Sequence, residues 1–354
     1  MKIKCFEPHL TQEDADSLSR FLSNRELAFG SMVTDFEKRY TLFAKKQHNI
    51  AVSSASAAAW IVFAFLREKH GICNVYTPSL TFSSPVWAAA KHGHNIIFVD
   101  VDDNLLFDSE DYRERRAPSG TNVVMPMLYG GVSTIPNLDL VGDEIVVVDS
   151  AHCIAPKLEY DYAFFSFHPV KPVCMSQGGL IATDHTDFAM YAMRYRNFGR
   201  ENIGDSYDIV QDGFKFYMTN LNAALGLGQL ERCVFNALKR KKNFVHLKNN
   251  VNAEFVDHDS DSSFYLATIK LLTESQDSAT VRKRLKEKEV QATFHYPPLH
   301  KMTAFREFTV DNLSNTEKLQ SKILNIPIHQ NLTLEQIEYV VESLEDILDE
   351  TKAA

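Results

Sequence analysis

The chain has 354 residues, 45% of them hydrophobic, and a formal net charge of −9. This size suits a large domain with a smaller one, and the acidic balance argues against a nucleic-acid or anionic-membrane surface. Five scattered cysteines without CxxC spacing argue against a disulfide framework and against a zinc site. The longest apolar run, 57–66, is too short for a membrane span, and the first ten residues lack the apolar stretch of a signal peptide. We therefore expect a soluble cytoplasmic protein that needs no metal.

β-rich runs alternate with helical stretches over the first half of the chain, between about residues 49 and 185. The runs are HNIAV (48–52), CNVYTP (73–78), NIIFVDV (95–101), NVVMPMLY (122–129), EIVVVD (144–149) and GGLIATD (178–184). The helical stretch 57–66 is apolar nearly all round, which predicts burial, whereas 108–116 is charged and should face water. Such alternation predicts an α/β domain with a mainly parallel sheet.

The second half changes character after a long helix predicted over 219–247. It continues with a strand at 262–272, an amphipathic helix at 278–290, a strand at 292–297 and a closing helix at 332–348, with Thr333 near its cap. These elements predict a second, smaller α+β domain. We place the large domain at 1–240 and the small domain at 241–354.

Lys171 is the candidate for holding an aldehyde cofactor. It lies between a strand-like tract, 161–168, and a turn fixed by Pro172 and the Gly178-Gly179 pair. A lysine in such a place is partly desolvated, which lowers its pKa and frees the neutral amine to condense with a carbonyl. The alternative is a solvated surface charge, the usual state of a lone lysine.

Asp149 gives Lys171 a chemical partner. It ends the apolar run 144–149, and ligands gather at the carboxyl ends of strands in open α/β sheets. Beside a pyridine nitrogen, a carboxylate would keep that nitrogen protonated, and a protonated pyridine is an electron sink. A helix or turn cap is the alternative role. His152 follows three residues later.

A phosphate site is predicted where the run 51–63 passes from strand to helix. The backbone amides of Ala55 and Ser56 open that helix, and a helix N-terminus binds phosphate through such amides. An ordinary buried helix with a serine N-cap explains the same residues equally well. Ser166 offers a hydroxyl to the same phosphate, and Phe82 could lie on an aromatic ring, although an isolated Phe is usually core.

Seven motifs of the chain follow one another in a familiar order. They are SASAAA (54–59), SLTFSS (79–84), VDSAH (148–152), SFHPVK (166–171), SQGG (176–179), FYMTNLNAALG (216–226) and HYPPLH (295–300). In this order the chain resembles the DegT-type nucleotide-sugar aminotransferases, which are pyridoxal-phosphate enzymes of fold type I. The resemblance runs from about residue 29 to 333.

The resemblance implies a role for each cofactor-binding residue. Lys171 would form the internal aldimine and Asp149 would pair with the pyridine nitrogen. Phe82 would stack on the ring, and His152 would sit against the cofactor hydroxyl. Family members that transaminate pass through the pyridoxamine phosphate form.

The phosphate would be held by Ser166 together with Ala55 and Ser56. Members of this family are homodimers, so Lys215, where an asparagine is common, would reach the partner subunit's cofactor. His295, Tyr296, His300 and His329 would line the sugar pocket, although structural histidines and a rigid Tyr-Pro turn explain them as well. Arg194, Arg196 and Arg200 are candidates for the carboxylates of glutamate.

The expected activity is transfer of an amino group from glutamate to a keto-sugar linked to a nucleotide, at the third or fourth ring carbon. The product would enter deoxyamino-sugar biosynthesis for a cell-surface polysaccharide or a glycosylated metabolite. Two alternatives remain open. One is a pyridoxal-phosphate dehydratase or another non-transaminating enzyme of the same fold, and the other is a non-catalytic sensor or regulator.

Overall fold

The computed structural model describes residues 2–23, 25–136, 138–273, 275–308 and 312–352. Its centre is a seven-stranded sheet in the order β1-β7-β6-β5-β4-β2-β3. The strands are β1 (His48–Val52), β2 (Cys73–Pro78), β3 (Asn95–Val99), β4 (Thr121–Val124), β5 (Ile145–Asp149), β6 (Tyr162–Ser166) and β7 (Gly179–Thr183). β7 runs antiparallel to both of its neighbours, and the other adjacent pairs are parallel. The predicted mainly parallel sheet is therefore confirmed.

Helices cover both faces of this sheet. They are α1 (Gln12–Leu22), α2 (Ser31–Ala44), α3 (Ala55–His70), α4 (Ser83–Lys91), α5 (Ser109–Arg115), α6 (Thr186–Tyr195) and α7 (Asn220–Asn250). On one face Phe36 and Tyr40 of α2 pack with Leu230 of α7. On the other, Val62 and Phe63 of α3 lie in a second core cluster. Strands covered on both faces become continuous apolar runs, as the sequence has them.

Two smaller sheets complete the fold. β8 (Arg200–Ile203) and β9 (Ser206–Ile209) form a hairpin, and β10 (Glu254–Phe255), β11 (Ala267–Lys270) and β12 (Ile323–Ile326) form an antiparallel sheet. That second sheet packs with α8 (Ser278–Glu287) and α10 (Leu334–Lys352), and α9 (Ser314–Leu319) precedes β12. The helix α10 begins as predicted, because the Gln336 amide donates to Thr333 Oγ1 at 3.2 Å.

Two predicted strands of the second half differ from the structure. The tract 292–297 forms only an isolated bridge between Thr293 and Asn325. The His295 carbonyl beyond that bridge accepts from Tyr129 Oη at 2.6 Å, so the backbone is used in a side-chain contact. The strand predicted at 262–272 shortens to β11, because Phe264 has φ +48°, a left-handed conformation that interrupts a strand.

The helix α7 runs through the predicted domain boundary at residue 240 and links the two larger sheets. Near the N-terminus, Ile3 forms a parallel bridge with Val290 and packs into the core around the second sheet. The division at residue 240 stays a prediction. Within the described ranges, no helix combines the length and the apolar character that crossing a membrane requires.

Candidate active site

Three strands of the central sheet bring the predicted cofactor residues to one edge. β5 ends at Asp149, β6 ends at Ser166, and β1 leads at Val52 into the loop before α3. Gly179, the first residue of β7, pairs with Ser166 on one side and with Val52 on the other. The carboxyl edge of a mainly parallel sheet is where ligands bind in such folds.

Lys171 lies in the turn that follows β6. Its backbone amide donates to the His168 carbonyl at 2.8 Å. Its Nζ stands 4.6 Å from the centre of the Tyr265 ring, a cation–π contact. Burial lowers the pKa of Lys171 to about 8, against the opposing effect of the Asp149 charge. A sizeable fraction of the amine is therefore neutral near physiological pH.

Asp149 is 3% exposed, and its Oδ1 accepts from the Ala151 amide at 2.9 Å. Burial raises the pKa of this carboxyl to about 6, although the Ala151 hydrogen bond and the Lys171 charge both lower it. A protonated ring nitrogen beside the carboxylate would offset that cost of burial. Asp149 thus suits the pyridine nitrogen of a cofactor.

His152 is completely buried, and its Nε2 lies 2.8 Å from Tyr296 Oη. The ring also lies 4.5 Å from the Tyr265 ring, centre to centre. Burial first, and then the Lys171 charge, lower the pKa of His152 well below its usual value, so the imidazole is neutral. In the described part of the chain its Nδ1 has no hydrogen-bond partner. That buried atom can meet a polar group of a ligand.

The start of α3 forms the predicted phosphate cradle. Ser54 is the N-cap, with its Oγ accepting from the Ala57 amide at 3.1 Å. The amides of Ala55 and Ser56 precede the first intrahelical hydrogen bond, so the helix directs them outward. A side chain at Gly179 would collide with the Ser54–Ala55 peptide. The glycine therefore lets the loop approach β7 closely.

The opposite side of the site is open. Phe82 is 53% exposed, and its ring centre lies 5.9 Å from that of Tyr296. Lys215 is exposed, with its Nζ 5.7 Å from the centre of the Tyr217 ring. Its neighbour Phe216 accepts from the Ser53 amide at 2.6 Å, which joins this tract to the phosphate loop of the same chain.

The four residues predicted for the sugar pocket separate into different surroundings. His295 lies next to His152 and Tyr296, with its Nδ1 2.9 Å from Asn325 Oδ1, and burial lowers the pKa of His295 to about 4. His300 contacts Ser79 Oγ at 2.6 Å through Nδ1, a contact that fixes the fold. His329 is buried and lines a cavity that also contains Lys171.

Two of the three arginines suspected of binding glutamate already have a carboxylate partner. Arg194 pairs with Glu201 at 2.5 Å. Arg196 is buried and pairs with Glu37, also at 2.5 Å. Arg200 packs its guanidinium over the Tyr207 ring, 4.3 Å from the centre.

Sequence reasoning missed Tyr265, the ring that touches both Lys171 and His152. It follows Lys171 by 94 positions, and no short-range pattern links residues that far apart. The one signal was its place in the predicted strand 262–272, which indicated only that it should be structured.

Four groups meet at the carboxyl edge of the mainly parallel sheet. They are the amine of Lys171 with its lowered pKa, the buried carboxylate of Asp149, the neutral imidazole of His152 and the N-terminus of α3. Together they fit pyridoxal phosphate, with the unpartnered His152 Nδ1 and the Gly179 cradle as the direct structural support. The fold and the site define a pyridoxal-phosphate-dependent transferase of fold type I.

The chain belongs to the DegT/DnrJ/EryC1/StrS aminotransferase family, whose model matches residues 8–345. It is 24% identical to the UDP-4-amino-4,6-dideoxy-N-acetyl-beta-L-altrosamine transaminase of Campylobacter jejuni, over 97% of both chains. It is 25% identical to the UDP-4-amino-4-deoxy-L-arabinose–oxoglutarate aminotransferase of Shewanella sediminis, over 96% of this chain and 97% of that one.

Solved structures share the fold. PseC of Helicobacter pylori, an aminotransferase involved in pseudaminic acid biosynthesis, superimposes with a TM-score of 0.91 at 18% identity, over 99% of this chain and 100% of that one. The PLP form of the putative sugar aminotransferase Spr1654 of Streptococcus pneumoniae gives 0.89 at 20% identity, with the same coverage. The predicted family, fold, aminotransferase activity and pyridoxal phosphate cofactor are thereby confirmed.

Proposed function

We propose that this enzyme transfers the amino group of glutamate to a keto-sugar carried on a nucleotide, at the third or fourth ring carbon. The observation that carries the proposal is the meeting of Lys171 and Asp149 at one sheet edge, beside the free N-terminus of α3. The enzyme would act in the cytoplasm, in deoxyamino-sugar biosynthesis for a cell-surface polysaccharide or a glycosylated metabolite.

The names of the relatives narrow the substrate. Both curated relatives act on UDP-sugars that carry nitrogen at the fourth carbon, and one name includes oxoglutarate, the keto acid left when glutamate gives up its amine. We therefore favour a UDP-linked 4-keto-sugar as acceptor, within the wider class of nucleotide-linked keto-sugars.

The buried residues hold the reactive part of the cofactor in this proposal. Lys171 holds the aldehyde through Nζ, Asp149 faces the ring nitrogen, and His152 lies on the hydroxyl side. Because burial makes the Asp149 charge costly, the carboxylate gains most when a protonated nitrogen sits against it. The neutral His152 offers one ring nitrogen as donor or acceptor while the other contacts Tyr296.

The phosphate lies at the start of α3 in this proposal. Ala55 and Ser56 donate backbone amides, and Ser166, across the bare Gly179, donates its hydroxyl. Lys215 adds a positive charge from the partner subunit of a homodimer. Phe82, which is half exposed, has a free face for the cofactor ring.

Pyridoxal phosphate, when bound, supplies an electron sink for the carbon that loses a proton. The role of the protein's own residues is to move that proton. Lys171 suits the role because burial brings its pKa to about 8, close to the pH at which it must both accept and return a proton. Tyr265 limits the positions open to the amine, since its ring packs 4.6 Å from Nζ.

Of the four residues predicted for the sugar pocket, His295 and Tyr296 lie next to His152, and they form the inner wall of that pocket in this proposal. His300 would support the sugar pocket by holding its loop against Ser79. His329 would support it from its position behind Lys171.

The test is the first half-reaction alone. Purified enzyme loaded with pyridoxal phosphate is mixed with glutamate and no sugar, and the absorption spectrum and released 2-oxoglutarate are followed. We expect conversion to the pyridoxamine form with about one 2-oxoglutarate per site, and then amination of an added UDP-4-keto-sugar.

Each alternative function gives a different result in that experiment. A dehydratase or another non-transaminating enzyme would bind the cofactor but release no 2-oxoglutarate. A sensor or regulator would leave glutamate and sugar unchanged. Either outcome would overturn the proposed function.

A further inference from the structure

A small cavity lies behind Lys171, between the N-terminal segment, the lysine turn, α7 and the residues just before α10. Its volume is about 20 Å³, enough for one small ion or one water molecule. Polar and charged side chains line much of it: Glu7, His9, Lys171, Gln229, Asn236, Arg240, His329 and Gln330.

Arg240 is the dominant charge in this cavity. It is only 4% exposed, and burial lowers the pKa of its guanidinium to about 10, which leaves it charged at neutral pH. Its Nε donates to the Ser263 carbonyl and its Nη1 donates to Gln330 Oε1, both at 2.8 Å. Its Nη2 is buried and has no acceptor among the residues that the structure describes.

Among the residues that the structure describes, no carboxylate pairs with Arg240 to balance its charge. The groups that act on it electrostatically are Cys233, Cys174 and Tyr265, whose own pKa values are raised by burial so that they are neutral at pH 7. Glu7, at the cavity rim, is partly exposed and pairs with Lys4 at 3.7 Å. A buried arginine without a counter-ion is rare in folded proteins, because the desolvation cost is not offset.

Other polar atoms around the same cavity are unsatisfied as well. Asn236 Oδ1 and His9 Nδ1 are buried beside each other, and the ring of His329 is buried beside the Lys4 backbone, but none of these atoms has a hydrogen bond of ordinary geometry in the described ranges. Asn236 and His329 are 2% and 7% exposed. Buried polar groups that lack well-aligned partners around one space indicate that water or an ion occupies that space.

We propose that this cavity binds one small monovalent anion, chloride under ordinary conditions, held by Arg240 Nη2 and a ring N–H of His9 or His329. An ordered water would satisfy the hydrogen bonds but would leave the charge of the Arg240 guanidinium unbalanced. The anion supplies the missing negative charge. It joins four segments of the chain and does not depend on the proposed function.

Bromide is the probe, because it replaces chloride and is located by anomalous X-ray scattering. Crystals of the cofactor-loaded enzyme are soaked in sodium bromide. In the wild type we expect an anomalous peak at hydrogen-bonding distance from Arg240 Nη2. In solution, chloride in place of gluconate at constant ionic strength should raise the melting temperature by about 1–3 °C.

The decisive variant is Asn236→Asp. Residue 236 lies four positions before Arg240 on α7, so the new carboxylate faces the guanidinium and becomes its counter-ion with almost no change of volume. It should remove both the bromide peak and the chloride effect while the fold is kept. Asn249→Asp, on the exposed C-terminal part of the same helix, makes the same charge change and should behave like the wild type.

Three results would overturn the proposal. The first is a wild-type map with only water beside Arg240. The second is a bromide peak that persists in Asn236→Asp, which would mean that the charge of Arg240 does not hold the ion. The third is a carboxylate of 2-oxoglutarate in the cavity in soaked crystals, which would make it part of the amino-donor site.

Discussion

The two halves of the active site are built in different ways. The half formed by Asp149, His152 and the amine of Lys171 is buried, and it contacts Tyr265 and Tyr296, which lie outside the central sheet. The half formed by Phe82 and Lys215 is exposed, with side chains that touch little besides neighbouring rings. We call these the buried half and the open half.

The contrast shows where each half obtains its properties. The buried half owes its reactivity to its surroundings, because desolvation is the largest cause of the pKa shifts at Asp149, His152 and Lys171. The open half is exposed, and it gains its role only when a ligand or a second subunit covers it. Changes to the buried half should therefore cost more.

The largest effect is expected for Lys171→Ala. Loss of the proton shuttle should lower turnover on the order of 10²- to 10⁴-fold, measured as amine transfer from glutamate to the sugar. Lys38→Ala removes an exposed lysine of α2 and serves as control. Full turnover in Lys171→Ala, with the fold checked by circular dichroism, would show that another group moves the proton.

Asp149→Asn should come next, with a fall in turnover of roughly 10²-fold. The amide has no negative charge to stabilise a protonated ring nitrogen, so a preorganised electrostatic contribution is lost. Asp103→Asn, at an exposed position, is the matched control. If the rate of the glutamate half-reaction stayed within twofold of the wild type, Asp149 would not face the ring nitrogen.

Gly179→Ala probes the border between the two halves. The added methyl group would collide with the Ser54–Ala55 peptide, which should cost about 1–3 kcal/mol of stability and displace the phosphate loop. We expect weaker binding of pyridoxal phosphate, measured by fluorescence titration. The new methyl group of Gly142→Ala meets the flexible end of Arg116 and, at ordinary contact distance, the Glu144 carboxylate, so this variant should change neither quantity. Unaltered affinity in Gly179→Ala would argue against this cradle.

The pH dependence of the free energy of unfolding, measured on the cofactor-free protein, tests the raised pKa of Asp149 by itself. Its folded-state pKa is raised from 3.8 to about 6, so its contribution to stability is fully present below pH 3.8 and is lost as the pH rises through 6. Relative to Asp149→Asn, the free energy of unfolding of the wild type should fall by about 2–3 kcal/mol between pH 4 and 7. Parallel curves from urea unfolding would contradict the buried state of this carboxyl.

The smallest effect is expected for Lys215→Ala. An exposed cation contributes little to binding, so affinity for pyridoxal phosphate should weaken by about threefold to fivefold and become less sensitive to salt. Titrations at low and high ionic strength measure both. A loss of affinity on the order of 10²-fold would mean that a partner subunit buries this lysine. The contrast between the two halves would then hold only for the single chain.

Most of the central sheet could be predicted from the sequence. Apolar runs that end in a polar residue identified β5 with Asp149 and β6 with Ser166, because a strand buried on both faces has a continuous apolar sequence. Other elements have less distinctive sequence patterns. The helices α1 and α2 and the hairpin of β8 and β9 were not predicted, and the tract 292–297 was wrongly taken for a strand because its alternation resembles one.

By itself, the sequence determined the groups of the site and the strand or helix end that carries each of them. These are local properties, fixed by the periodicity of side chains along a backbone and by the residues that cap a helix. Only the tertiary structure decided that His152 meets Tyr296 across 144 positions, that Tyr265 covers the amine of Lys171, and that Arg240 is buried. Burial and contact between distant segments arise from packing of the whole chain, which no local pattern records.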